Sequence, residues 1–451
     1  MSAVGRGHES SSFVSVWPST FACFTISGDH LLTFCLFCLN RFMIGNMSLI
    51  ISKRNENSVV FLVFALFYLS LAILLMPLRL KGIFNTSFIF VPISILFSLY
   101  LSIKYYFSCY GKGLGWIEIF IAFYPVILVP VGLASGNEFN YVLTDAIKPL
   151  MWIGIIGYYK NVIIDEKYYL QKIRLPILLL TLSSVLTVSF IFYTIKTVGG
   201  VKPSATDIVM LFAFFYYVLN YKHLFSVLWF VMFLMGGKIG PLISLLGVFL
   251  IKKMSEFSFK FIVIFSIIMI GVVCLCFYWG FDFLAGYLPL MSKFRVFNEY
   301  SFSQIDFDLL DSMLFGGRLS EITSSISIFN TNKLLFFTGP GVGYTYDWIR
   351  EGLVFEKNRH GVHFSPISIL VIYGPFYTLI FYTYLFRILL RAMIIFNKSS
   401  SKIMNLFSMF FVANLINSFT VYSIFVVVLF PIAIGIILNK RLDMLYCKDK
   451  K

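Results

Sequence analysis

The sequence predicts an all-α, polytopic membrane protein with about 12 transmembrane helices and one long external loop that contains short amphipathic helices. Hydrophobic residues make up 59% of the 451 residues and charged residues only 13%, with a mean hydropathy of +0.87. Soluble proteins average roughly 45–50% apolar and 25% charged residues. Apolar blocks fill nearly the whole chain, and residues 282–363 form the one long segment that is too polar to lie in a bilayer.

These blocks divide the chain into five regions. Residues 1–58 are expected to be an N-terminal cytoplasmic segment, in which Met43 or Met47 is a candidate for the true start. Residues 59–281 hold transmembrane helices 1–9, and residues 282–363 form the large external loop. Residues 364–438 hold transmembrane helices 10–12, and residues 439–451 form a cytoplasmic tail.

Each predicted span is an apolar block close to the length that a bilayer requires. The twelve blocks lie at residues 59–78, 83–103, 117–135, 142–163, 175–195, 204–220, 223–236, 238–251, 260–281, 364–386, 404–421 and 422–438. The seventh and eighth blocks are short, so a single span or a re-entrant pair is the alternative there.

The distribution of basic residues predicts the orientation. The net charge is +15, and Lys and Arg cluster in alternate loops, at positions such as Lys160, Arg387 and Arg391. Because such residues accumulate on the cytoplasmic side, both termini are expected inside and the long loop outside. Nucleic acid is not an expected partner, since the positive charge flanks apolar blocks, where it meets anionic lipid headgroups.

Three features of the loop can carry chemistry. Apolar residues recur at helical spacing from 318 to 329, which predicts an amphipathic helix on the outer membrane face. Gly316-Gly317 would lie at its N-terminus, where free N–H groups bind anions, and Arg318 would add a bidentate phosphate donor. The alternative is that Arg318 snorkels to the interface.

The run Gly339-Pro340-Gly341-Val342-Gly343 would let the backbone approach a bulky or charged ligand, or is a plain turn. It matches neither a Rossmann fingerprint nor a P-loop.

His363 begins the next apolar block and could act as a base towards a sugar hydroxyl, although a histidine at a helix start is often structural. Arg359 and His360 beside it add positive charge, which suits a diphosphate substrate or a simple surface patch.

Together these features resemble the superfamily of O-antigen polymerases and O-antigen ligases, bacterial envelope glycosyltransferases. The resemblance includes Gly374 eleven residues after His363, Tyr377 three residues further on, and a basic residue in a small outer loop, here Lys238. It covers roughly residues 204–385. The family prefers Asn, Ser or Gln directly after the histidine, where this chain has Phe364.

The resemblance implies that His363 is the catalytic base and that Arg318, Lys238 and Arg359 bind the substrate diphosphate. It implies a polymerase that joins undecaprenyl-diphosphate-linked repeat units on the outer face of the bacterial cytoplasmic membrane. The partners would be the lipid-linked donor and acceptor glycans and membrane lipid, with a chain-length regulator protein as a further candidate. A ligase that transfers the glycan to lipid A core is the first alternative, and a polysaccharide flippase the second, although no internal repeat favours it.

Two charges fall inside the fourth block. Asp145 and Lys148 are three residues apart on one face of a helix, so they either line a substrate chamber or form an ion pair that locks helix packing. The loop shows no cluster with metal-ligand spacing and no nucleotide motif, so neither a metal nor another cofactor is predicted.

Overall fold

The computed structural model describes residues 54–75, 87–108, 114–198, 209–235, 239–256, 311, 317–331, 335–350, 353–419 and 424–442. Several predictions concern residues outside these ranges. They are Lys238, the ninth apolar block at 260–281, most of the N-terminal segment 1–58, the first part of the loop (282–310) and the end of the tail.

Helices dominate the described part of the chain. In chain order they are α1 Arg54–Leu74, α2 Ser87–Ser108, α3 Trp116–Ile127, α4 Val129–Ala134, α5 Phe139–Asn161, α6 Glu166–Val198, α7 Val209–Leu219, α8 His223–Met235, α9 Ile239–Glu256, α10 Arg318–Ile326, α11 Ile328–Thr331, α12 Leu335–Thr338, α13 Ser365–Lys398, α14 Lys402–Asn417 and α15 Leu429–Ile437. A 3₁₀ turn, Ile424–Val426, precedes α15.

Local sequence explains where several of these helices begin. The Ser401 hydroxyl accepts a hydrogen bond from the Met404 N–H and so caps α14. Pro366 lies in the first turn of α13, where the missing N–H has no helical partner to lose. Within α13, Gly374 has a φ of 82° and a ψ of 167°, so the helix is kinked there, immediately before Pro375.

Two helices form the centre of the bundle. Helix α5 packs against α2, α3 and α15, and α14 packs against α7, α9, α13 and α15. Their buried side chains are largely aromatic and aliphatic, as at Trp152, Phe407 and Phe410. Between helices that lie in lipid, close van der Waals packing of such side chains is a main favourable term at these contacts.

Three described helices are long and apolar enough to cross a membrane: Trp116–Ala134, which joins α3 and α4, Glu166–Phe190 within α6, and Ser365–Lys398. Large apolar side chains remain exposed on them, including Leu186 at 60% and Leu379 at 68%. An exposed apolar surface of this kind is expected of helices that face lipid. The total of about 12 spans stays a prediction.

The loop contains a structure that the all-α prediction missed. Strands β1 Thr345–Arg350 and β2 Leu353–His360 pair as an antiparallel hairpin, with Tyr346 opposite Arg359. Buried Tyr346 and Trp348 alternate with exposed neighbours along β1, the period-2 pattern of a strand with one covered face. The fold class is therefore corrected to a mainly helical fold with a two-stranded sheet in the loop.

Helix α10 begins at Arg318, as predicted, and is followed by the short α11. It packs against β1 and α13, with Glu321 and Ser325 buried and Ile322 and Ile326 against the core. At least this face of the helix therefore contacts protein rather than a membrane surface.

Candidate functional site

A group of polar side chains gathers where α10, the hairpin and the start of α13 meet. Glu321 lies on α10, Tyr346 on β1, Arg359 near the end of β2, and His363 just before α13. We refer to these four residues as the Glu321 cluster. His363 is the most accessible of them, with 24% of its side chain exposed, whereas Glu321 is fully buried.

Glu321 is the centre of this cluster. Its Oε2 lies 2.8 Å from His363 Nδ1, and its Oε1 lies 2.8 Å from Arg359 Nε. The His363 backbone N–H donates to Oε1 at 3.3 Å, and the Tyr346 hydroxyl lies 3.1 Å from the same oxygen. A buried carboxylate requires partners of this kind, because isolated charge is strongly disfavoured away from water.

The protonation states follow from these contacts. Burial disfavours the Glu321 carboxylate, but the hydrogen bond and charge of His363, the charge of Arg359 and the Tyr346 hydroxyl outweigh it, so the pKa of Glu321 lies below its usual value. Burial lowers the pKa of His363; Glu321 raises it, and the positive charges of Arg359 and Arg318 lower it again, with a net decrease. Glu321 is therefore the carboxylate of the cluster, and burial favours the uncharged form of the His363 imidazole by lowering its pKa.

Two neighbours compete for the same ring nitrogen of His363. The Glu321 carboxylate, 2.8 Å from Nδ1, can only accept, and the Arg359 guanidinium, whose Nη2 lies 3.0 Å from Nδ1, can only donate. In the tautomer in which Nδ1 donates its proton to Glu321, Nε2 is the basic nitrogen. A carboxylate behind an imidazole both orients the ring and stabilises the imidazolium that forms when Nε2 takes a proton. In that tautomer the arrangement is suited to general-base chemistry at Nε2.

Arg359 is held inside the protein. Its guanidinium is paired with Glu321 and Glu356, lies 4.5 Å from the centre of the Trp348 ring, and places Nη2 3.0 Å from His363 Nδ1. Two carboxylates compensate its charge, so Arg359 is better suited to position Glu321 and His363 than to bind a diphosphate directly. Direct binding of the diphosphate by Arg359 stays a prediction, which these contacts do not favour.

Arg318 stays a candidate for contact with an anion, because it is partly exposed and its charge acts on His363. The backbone N–H groups that follow Arg318 already have an acceptor within the protein. The Leu319 and Ser320 N–H groups donate to the two oxygens of Asp311 at 2.8 and 2.9 Å. The helix N-terminus predicted to bind phosphate is therefore capped by the chain's own carboxylate.

A second polar cluster surrounds Asp145 on α5. Its carboxylate accepts the Gly343 N–H at 3.0 Å, forms an ion pair with Lys148 at 3.4 Å and lies 3.3 Å from His360 Nε2. The other ring nitrogen of His360 is 3.0 Å from the Tyr344 carbonyl, and the ring stacks on Tyr141. Asp145 is buried among these groups, which favours the packing alternative over a position on a chamber wall.

The glycine run packs against the protein itself. Gly339, Gly341 and Gly343 all have positive φ, and all are buried. A Cβ added at these positions would lie 2.9 Å from Gly374 N, 2.8 Å from Gly132 N and 2.6 Å from a Val142 methyl group, respectively. The close approach that glycine permits is therefore to α4, α5 and the kink of α13, which favours the turn alternative over contact with a ligand.

The two remaining positions of the family resemblance are also internal. Gly374 forms the kink against which Gly339 lies, and the buried Tyr377 hydroxyl donates to the Ile121 carbonyl at 3.2 Å. Both contacts join α13 to neighbouring segments of the protein. Lys238 lies outside the described residues.

Among the residues that the structure describes, no group of three or more His, Cys, Asp or Glu side chains is arranged to hold a metal ion.

The sequence singled out none of Glu321, Tyr346 and Asp311 as a site residue. An acidic residue beside the apolar stripe of α10 was the available signal for Glu321, and the alternation along β1 was the signal for Tyr346. Neither pattern shows which residue the side chain contacts, because Glu321 and His363 are far apart in the chain and meet only on folding.

Comparison with known proteins adds no assignment. No protein-family model matches the sequence, and no curated protein or solved structure is significantly similar to it.

Proposed function

We propose that the protein is a membrane glycosyltransferase that polymerises undecaprenyl-diphosphate-linked repeat units of O-antigen or another surface polysaccharide. It acts as a multi-pass protein of the bacterial cytoplasmic membrane, with its site on the outer face. The observation that carries the proposal is the contact between His363 and the Glu321 carboxylate at the point where the polar loop joins the apolar helix α13, close to a water-accessible surface.

The reaction needs three things from the protein. It must orient two lipid-linked glycans, accept a proton from the acceptor hydroxyl, and stabilise the charge of the departing diphosphate. His363 Nε2 takes the proton while the acceptor oxygen forms its bond to the anomeric carbon of the donor. The bond from that carbon to the diphosphate oxygen breaks, and the lipid diphosphate leaves with the electron pair.

The other site residues support this step. Glu321 stabilises the imidazolium as it forms, and Arg359 holds Glu321 in place through their ion pair. Arg318 is partly exposed, and its charge lowers the pKa of His363. Arg318 and Lys238 bind the diphosphate in this proposal. A lysine can neutralise phosphate as a point charge, although without the two-pronged geometry of arginine.

The same base and the same donor would also serve a ligase, which differs only in its acceptor, lipid A core. A flippase moves the lipid-linked glycan without making a bond and has no need of a base. The experiment therefore measures both the length of the glycan and the molecule to which it is attached.

The test compares two substitutions of His363 in a deletion strain complemented at matched membrane abundance. His363→Ala removes both the base and the hydrogen bond to Glu321. His363→Asn places an amide N–H near the position of Nδ1, so it can keep the contact with Glu321 but cannot take a proton. Both variants are expected to leave a single repeat unit on the acceptor, because loss of a general base typically costs about 10²–10⁴ in rate.

Long glycan chains from His363→Asn would show that the contact with Glu321 is structural and would remove His363 from the mechanism. Full-length glycan left on the lipid carrier would identify a ligase instead. The matched control is His223→Ala, since His223 is exposed at the start of α8. His360→Ala is not a suitable control, because His360 is largely buried against Asp145 and Tyr141 and its loss should destabilise the fold.

A further inference from the structure

A cavity of about 630 Å³ lies between the start of α3 and the later part of α13, and it takes no part in the chemistry proposed above. Its walls include Trp116 and Glu118 from α3, Lys160 from the last turn of α5, and Arg387 and Arg391 from α13. Ligand sites typically have volumes of about 300–1,000 Å³, with mainly apolar walls and a few polar groups. This cavity fits that description.

The position of the cavity relates it to a membrane surface. Helix α13 begins beside His363, and the path along it from Ser365 through the kink at Gly374 to Arg387 is on the order of 33 Å long, at about 1.5 Å per residue. The hydrocarbon core of a bilayer is about 30 Å thick. If α13 crosses the membrane, the cavity therefore lies at the interface opposite the Glu321 cluster, which is the side to which the charge distribution assigns the cytoplasm.

The charges around the cavity leave it positive. Glu118 is buried, accepts the Tyr384 hydroxyl at 3.0 Å and pairs with Lys160 at 3.1 Å, so these two charges compensate one another. Arg387 and Arg391 add positive charge at the rim. The Arg391 Nε–H donates to the Ile437 carbonyl at the end of α15, which holds the base of that side chain in place.

The apolar part of the rim faces outwards. Trp116 is 71% exposed, and Leu390 and Ile394 on α13 are 46% and 53% exposed. Trp side chains and arginines are typical of membrane interfaces, where an apolar surface and charged headgroups meet. An occupant must therefore present an anion to the arginines and hydrocarbon to the surrounding surface.

We propose that this cavity binds the headgroup of an anionic phospholipid, with the phosphate at Arg387 and Arg391 and the acyl chains along Leu390 and Ile394. A phosphate gives the guanidinium groups a partner of opposite charge that matches their fork geometry. Free inorganic phosphate offers the same charge but has no apolar part to cover the exposed side chains. The site is independent of the glycosyltransferase proposal.

The experiment measures binding of phosphatidylglycerol to the purified full-length protein, by stabilisation against thermal unfolding as lipid is added in detergent. Phosphatidylcholine tests headgroup charge, and inorganic phosphate tests whether the lipid chains matter. Wild type should be stabilised by phosphatidylglycerol far more than by either of the others. Arg387→Gln should weaken the apparent affinity roughly tenfold, as loss of one charge-assisted hydrogen bond does.

Lys398→Gln is the matched control, because Lys398 is an exposed cation in the last turn of the same helix and does not line the cavity. It should leave the affinity within about twofold of wild type. Equal weakening by both substitutions would mean diffuse attraction to a basic surface and would overturn the site. Equal stabilisation by inorganic phosphate, or by phosphatidylcholine, would overturn the anionic lipid as its occupant.

Discussion

Replacing Gly341 by alanine tests the structural role of the glycine run most directly. Gly341 has a φ of +92°, and a Cβ there would lie 2.8 Å from Gly132 N and 2.9 Å from Gly132 Cα. The left-handed backbone costs an L-residue about 1–2 kcal/mol. Overpacking in a rigid contact costs about 1–3 kcal/mol more. Gly341→Ala should therefore lower the free energy of unfolding by roughly 2–5 kcal/mol.

Gly136→Ala is the matched control, because Gly136 also has a positive φ, of +77°, but a Cβ there would meet no atom within 4 Å. It carries only the backbone cost of about 1–2 kcal/mol. Any gain from a stiffer unfolded chain is common to both variants and cancels in the comparison. The measurement is thermal unfolding of the two variants in the same detergent, followed by tryptophan fluorescence.

The larger loss of stability in Gly341→Ala should be accompanied by loss of activity at high temperature. If Gly341→Ala is as stable as Gly136→Ala and yet inactive, the packing argument is refuted, and the glycine run must approach a ligand as the sequence suggested.

Three further predictions concern pH and metals. Folding lowers the pKa of His363 and of Glu321, so the unfolded chain binds more protons than the folded chain at acidic pH. The melting temperature should therefore fall progressively as the pH is lowered from about 6.5 to below 4. A constant melting temperature over this range would contradict the prediction. The rate of polymerisation in vitro should decrease with falling pH only below the ordinary imidazole pKa of about 6.5. Arg318→Ala should slow the reaction about a hundredfold and should shift this decrease to higher pH, because the charge of Arg318 lowers the pKa of His363. An unchanged pH dependence in Arg318→Ala would show that the charge of Arg318 does not act on His363. EDTA should leave the rate unchanged, and rescue by magnesium after chelation would reveal an ion site.

Local sequence determined the helices and where many of them begin and end. The block predicted at 117–135 appears as Trp116–Ala134, the block at 142–163 as Phe139–Asn161, and the block at 223–236 as His223–Met235. Helical hydrogen bonds join residues four apart, so composition within a short window is enough to place them.

The hairpin shows the limit of that reasoning. Strand β1 carries an alternating pattern, but a two-stranded ribbon is marginal by itself and forms here with α10 packed on it. The pattern was therefore visible in the sequence, while the reason for its stability was not.

The candidate site divides in the same way. Sequence alone marked His363 as a titratable group at the junction of loop and helix, and Arg318 as the start of α10. Only the tertiary structure gave His363 a carboxylate partner in Glu321, compensated the charge of Arg359, and placed Asp311 on the helix N-terminus. These contacts join segments that are distant in the chain, and their protonation states depend on burial and on neighbouring charges, which a one-dimensional pattern does not contain.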